Sequence, residues 1–132
     1  MMVTDPVADM LNRIKNAGVV RHPTVTVQHS KFVLAIAEAL KRHGYIVSIE
    51  KKGKKAIKLL EIELAYDERK TPKLKGVERI SKPSRRLYCG AKGLKPVRNG
   101  YGLIMLSTPK GVLSGSEARK ESVGGEMLFK IW

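Results

Sequence analysis

Val7, Met10, Leu11 and Ile14 fall at the i, i+3, i+4, i+7 spacing that puts apolar side chains on one face of a helix. Asp5-Pro6 stands just ahead, an N-cap acceptor followed by a proline whose missing N–H costs nothing there. Gly18 is placed to stop the helix. Val25-Thr26-Val27 reads as a short extended piece. A second stripe, Val33, Ile36, Ala37 and Leu40, then predicts a helix capped by Ser30 and ended by Gly44. Residues 45–50 and 56–64 alternate as two strands around Lys51-Lys52-Gly53-Lys54-Lys55, a hairpin signal. The alternation slips at Leu59-Leu60, which predicts either a bulge or a strand covered on both faces. Residues 67–76 lose all periodicity and read as a linker. Beyond them, strands are expected at 77–80, 86–89, 102–108 and 126–132, with one short helix near 116–121. The pattern is α+β: an N-terminal helix/strand lobe over 1–66 and a mostly β C-terminal lobe over 77–132.

Length and charge sharpen this picture. At 132 residues the chain could be one domain or two small halves; halves of that size bury only about 60% of their unfolded surface and need a neighbour. A 42% hydrophobic content is enough for a core. Twenty-six Lys and Arg against twelve Asp and Glu give a net +14. Residues 69–98 carry eleven basic side chains against Glu78 alone, eleven minus one, or +10 of that total. A run of charge is ordinarily a solvated surface, but self-repulsion on this scale favours a compensating polyanion. The single cysteine, Cys89, excludes an internal disulfide and fits a reducing compartment. Neither a signal peptide nor an apolar span of bilayer length is expected, so no membrane partner is.

Enzyme and metal chemistry find little support. Ser107-Thr108-Pro109-Lys110 matches S-x-x-K in form, but that chemistry needs a helix starting at the serine, and Pro109 and Gly111 oppose one. His22, His29 and His43 are scattered and Cys89 has no second thiol near it, so no metal site is expected. Gly100-Tyr101-Gly102 begins a dinucleotide fingerprint, yet Met105 takes the third glycine position. Gly90-Ala91-Lys92-Gly93 resembles the GXXG clamp of KH domains but lacks the flanking helix pair. No cofactor and no small-molecule substrate are called for.

Binding chemistry is better represented. Asn12, Arg13 and Asn16 lie with Asp9 on the polar face of the first helix, either plain solvated surface or an RNA contact. Lys31 sits in the first turn of the second helix, the unfavourable end of the dipole for a cation unless an outside anion is near. Tyr88 follows Arg85 and Arg86 and could stack on a base or ribose, or simply pack on the core. In the last third, Gly102 to Leu106 runs into Ser107, Thr108, Pro109, Lys110 and Gly111; further on, Gly124 and Gly125 precede Glu126. Hydroxyls and backbone N–H groups with little bulk around them suit close approach to sugar, phosphate and base edges. With seven aromatic residues in all, an aromatic platform for single strands is not expected, which favours structured RNA. A basic DNA-binding or nucleoid protein is the alternative, although no helix carries evident base-reading residues.

Three separated motifs, in order, resemble the ribosomal small-subunit protein eight family over nearly the whole chain. They are Asp5-Pro6-Val7-Ala8-Asp9-Met10-Leu11-Asn12-Arg13-Ile14-Lys15-Asn16-Ala17, Arg79-Ile80-Ser81-Lys82-Pro83-Ser84-Arg85-Arg86-Leu87-Tyr88, and Gly102 to Val112 followed by Ser116 to Lys120 and Val123 to Glu126. The chain departs from the family pattern at Pro109, where a second serine is usual, at Leu113-Ser114-Gly115, and at Phe129, where a cysteine is common. The resemblance implies a primary rRNA-binding protein that contacts the central domain of small-subunit rRNA and helps assemble the platform. It also implies proteins five and twelve of the subunit as neighbours, and a cytoplasmic or organellar ribosome as its location. RNA contact by Asn12, Arg13, Asn16, Lys31, Arg85, Arg86, Tyr88, Ser107, Thr108, Lys110, Gly124, Gly125 and Glu126 is the resulting expectation.

Overall fold

A computed structural model describes residues 6–53, 58–81, 86–90 and 102–132. The chain is α+β, and its contacts divide it into two compact units, Met1–Lys75 and Gly76–Trp132.

The first unit contains α1 (Pro6–Val19), β1 (Thr24–Gln28), α2 (Lys31–Arg42), β2 (Ile46–Lys52) and β3 (Leu59–Leu64). The predicted stripes are the buried faces: Val7, Met10, Leu11 and Ile14 in α1, and Val33, Ile36, Ala37 and Leu40 in α2. Ser30 caps α2 as expected, its hydroxyl accepting from the Val33 N–H at 3.1 Å. Asp5 lies outside the described residues. Gly18 is not the stop. It is helical and buried, and a Cβ there would come within 3.1 Å of Pro72. The left-handed residue that ends α1 is Arg21, with φ 60.

The sheet is antiparallel, ordered β1-β3-β2. Leu60, Ile62 and Leu64 point into the core while Leu59, Glu61 and Glu63 point outward. The alternation in β3 therefore never slips: Leu59 is simply a partly exposed residue of the outer face. The irregularity lies across the ladder, between Ile46 and Ser48 of β2. Of the hairpin turn, Lys54 and Lys55 lie outside the described residues. The aperiodic stretch after β3 is locally folded. The Asp67 carboxylate accepts from the Arg69 and Thr71 N–H groups, Tyr66 bridges Pro72, and Leu74 is buried.

The second unit contains β4 (Val77–Arg79), β5 (Tyr88–Cys89), β6 (Leu103–Thr108), β7 (Gly111–Ser114), α3 (Gly115–Lys120) and β8 (Gly125–Ile131). Its antiparallel sheet runs β4-β8-β6-β7, with β5 also paired to β8. Ile104, Leu106 and Ala118 form a buried cluster, with Leu113, Val123 and Met127 packed around it. Met105 and Phe129, cross-strand partners, are fully buried. α3 stands one residue ahead of the short helix expected near 116–121, while β7 was not expected. Ser114 ends the strand and caps the helix through a capping box: its hydroxyl accepts from the Glu117 N–H, and the Glu117 carboxylate accepts from the Ser114 N–H. Ser114-Gly115-Ser116-Glu117 is the sequence signal for that box.

Candidate nucleic-acid interface

The expected contact residues fall into a set in each unit. In the second unit, strand register assembles most of them. Tyr88 of β5 pairs with Glu126 of β8, and Glu126 pairs with Ser107 of β6. Directly paired residues project from the same face of a sheet. Tyr88, Glu126 and Ser107 therefore form one row across the strands. Tyr88 is 70% exposed, which a core-packing tyrosine would not be. The Arg86 guanidinium donates to both oxygens of Glu126, at 3.1 and 3.3 Å. The side chain of Glu126 is only 15% exposed whereas that of Arg86 is 52% exposed. The carboxylate therefore acts as a fixed post that holds the arginine beside Tyr88 and leaves its remaining donors facing outward.

Ser81 supports that arrangement and was not anticipated. Fully buried, its hydroxyl donates to the Leu87 carbonyl at 3.2 Å and accepts from the Leu87 N–H at 2.9 Å. It thereby closes the segment that delivers Arg86 and Tyr88. Arg85 lies inside that segment but outside the described residues, as do 91–98 of the basic run and the GXXG-like turn at 91–93.

Ser107 and Thr108 are strand residues, and the loop between β6 and β7 is Pro109-Lys110 alone. Proline cannot adopt positive φ, so a mirror-image hairpin turn is closed to it; Gly111, at φ 109, takes the positive angle instead. The Thr108 hydroxyl donates to the Gly111 carbonyl at 2.7 Å and accepts from the Lys110 N–H at 3.1 Å. Its hydrogen is committed to the turn, and it can only accept from a ligand. The Ser107 hydroxyl has no hydrogen-bond partner among the described residues. Lys110 pairs with Glu121 at 3.0 Å, both side chains 54% exposed.

Neither Gly124 nor Gly125 has a positive φ. What Gly125 requires is space: a Cβ there would stand 2.0 Å from the Ser107 carbonyl oxygen. The pair was expected to leave room for the close approach of a ligand. At Gly125 the need arises inside the sheet, because β8 must press against the Ser107 end of β6.

In the first unit, Asn12, Arg13 and Asn16 are exposed together on α1, and Arg13 is paired to Asp9 at 2.9 Å. Lys31 is exposed at the start of α2. Ser107 lies within a strand, not at a helix start, so the S-x-x-K pattern has no catalytic geometry. Among the described residues no group of His, Cys, Asp and Glu could hold a metal, and no helix is long and apolar enough to cross a membrane.

Residues 5–132 match the family described as Ribosomal protein S8. The chain belongs to that family. Proteins named small ribosomal subunit protein uS8 are similar along its whole length. The one from Roseiflexus castenholzii is 45% identical over 132 residues, covering 100% of both chains. The one from Persephonella marina is 46% identical over 136 residues, covering 99% of this chain and 100% of the relative. A third, from Dictyoglomus thermophilum, is 46% identical with 100% of both covered. As a member of the S8 family, the chain is a ribosomal protein of bacterial type, cytoplasmic, structural and not an enzyme.

Proposed function

We propose that the chain, as a constituent of the small ribosomal subunit, binds the central domain of its rRNA directly and helps organise the platform, beside proteins five and twelve. The observation that carries the reading is the row of Tyr88, Glu126 and Ser107 with Arg86 held over it. It offers an exposed ring for stacking, a positioned guanidinium for phosphate and, for sugar or base edges, a hydroxyl with no partner among the described residues. Lys110, at the adjoining hairpin tip, adds a cation. Gly125 lets the strands close, and Gly124 leads into it. Thr108 contributes by holding the turn. Arg85 belongs to the same basic segment by sequence. Asn12, Arg13 and Asn16 make a second patch on the first unit, and Lys31 adds a cation at the start of α2. The central domain and the neighbouring proteins rest on the family resemblance, while the net +14 supports a polyanion in general.

Binding of the purified chain to central-domain rRNA fragments and to matched duplex DNA, over a series of salt concentrations, tests this. The rRNA fragment should bind more tightly at every salt concentration. Equal affinity for DNA would favour the nucleoid alternative.

A further inference from the structure

A second feature of the first unit lies apart from these residues. Arg21 follows α1 as its left-handed terminating residue: its N–H bonds to the Gly18 carbonyl and that of His22 to the Ala17 carbonyl, the paired bonds of a Schellman ending. Glycine is the usual occupant of that position. Lys70, at φ 63, closes the turn that begins at Asp67, a position glycine also favours. Two left-handed positions thus carry long cationic side chains, and both line one cleft of about 260 Å³ with Pro23, Glu63, Leu64 and Tyr66. Ser122 shows that a left-handed residue other than glycine is not in itself a signal here. The convergence of two cationic ones on a single cleft is.

The rest of the cleft is equally specific. The Tyr66 hydroxyl donates to the His22 carbonyl, fixing the ring between the two turns. Its pKa is raised by burial and drawn back by Arg21, which places that guanidinium near the ring. Glu63, which accepts from the Ser48 hydroxyl at 2.9 Å, supplies an acceptor at the wall. Arg21 and Lys70 have no ion-pair partner among the described residues. The cavity is smaller than the roughly 300–1,000 Å³ of small-molecule sites. It suits a group that enters as part of a larger polymer.

We infer that this cleft takes one nucleotide of a bound RNA, its phosphate between Arg21 and Lys70 and its sugar or base against Tyr66 and Pro23. Glu63 accepts from a ribose hydroxyl or a base amine, donors that the side-chain carboxylates of an acidic peptide, the other occupant the cations could attract, do not have. The inference rests on the proposed RNA-binding reading, and it adds a contact distinct from the strand row and from the α1 patch.

Arg21→Gly, Lys70→Gly and the double variant test it in the full chain, because glycine suits both backbone positions and the fold is kept. Each single variant should bind the central-domain rRNA fragment about three- to tenfold more weakly near physiological salt. Its log–log salt slope should be shallower by about one unit or slightly less. Footprinting of the double variant should lose an RNA patch that Arg86→Ala leaves intact. If the folded double variant keeps the affinity, slope and footprint of the parent while Arg86→Ala weakens binding, the cleft is no RNA site and the strand-row reading stands. If the parent chain binds duplex DNA as well as rRNA, the RNA reading itself fails, and this inference with it.

Discussion

A Cβ at Gly125 would stand 2.0 Å from the carbonyl oxygen of Ser107 and 3.1 Å from the Cα of Thr108. Both obstacles are backbone atoms in the neighbouring strand, so no rotamer change relieves them. The glycine thus determines how closely β8 approaches β6 at the point where Glu126 and Ser107 enter the same row.

Gly125→Val should therefore act on folding before it acts on binding. Forcing carbons into packed structure costs about 1–3 kcal/mol, and the upper end is expected because a ladder carbonyl cannot turn away. Thermal or urea unfolding of Gly125→Val and Gly124→Ala measures it. A Gly125→Val chain as stable as the parent would show that the strands have room to separate.

How far the sequence anticipated this depends on the range of each cause. The stripes of α1 and α2 and the Ser30 cap depend on residues within about two turns, and they are as expected. Gly18 misled because a glycine near a helix end resembles a stop, while its actual constraint is Pro72, distant in sequence. Leu59-Leu60 misled because β3 starts on its outer face, so an apolar residue there mimics a slip. Register is harder still. The row of Tyr88, Glu126 and Ser107 joins strands whose alignment has no local signature, and the Leu128 bulge in β8 shifts it by one residue between Met105 and Leu106. The hydroxyls at 107 and 108 look equivalent in sequence; only the closed turn separates them.

That separation is measurable. Thr108→Val removes two turn hydrogen bonds and should cost about 1 kcal/mol of stability, with any loss of RNA affinity following from the disturbed hairpin. Ser107→Ala should leave stability nearly unchanged and weaken RNA binding by about 1–2 kcal/mol, without altering the salt slope, since no counterion is released. Unfolding curves and binding isotherms on the same two variants decide. Equal effects of both on both measurements would contradict the division.

Asp67 should give the fold a specific acid sensitivity. The N–H of Thr71, then that of Arg69, with Lys73 and Lys75 nearby, holds its pKa below the ordinary 3.8. A depressed carboxyl stabilises the folded state above the unfolded pKa and loses that contribution as pH falls toward the folded one. Asp67→Asn should therefore melt below the parent at neutral pH, and the gap should close as pH drops beneath 3.8. Melting curves from neutral pH to about pH 2 provide the check; a gap independent of pH would assign the effect to turn geometry alone.

The α1 patch can be tested separately from the strand row. Asn12, Arg13 and Asn16 are exposed, and none lies on the buried stripe. An Asn12→Ala/Arg13→Ala/Asn16→Ala chain should lose little stability, since the Arg13–Asp9 pair is a surface i,i+4 contact worth about 0.3–0.5 kcal/mol. Footprinting should show one protected RNA patch missing and the main one retained. An unchanged footprint removes these residues from the interface.

Lys110 is best probed through its partner. In the unbound chain its ammonium is shared with Glu121 at 3.0 Å, an exposed pair of the kind worth about 0–1 kcal/mol. A phosphate arriving at the hairpin tip must compete with that carboxylate and is also repelled by it. Glu121→Gln should therefore leave stability almost unchanged and strengthen RNA binding, most at low salt, where screening is weakest. Lys110→Ala should weaken binding to every RNA tested and make the log–log salt slope shallower by about one unit or slightly less. In the Lys110→Ala background, the gain from Glu121→Gln should shrink to the repulsion term alone. That non-additivity is the signature of a lysine exchanging one anion for another. Isotherms for the parent, both single variants and the double variant across a salt series measure it. Strictly additive effects would mean that Lys110 serves the β6–β7 hairpin and α3, and that phosphate is met elsewhere.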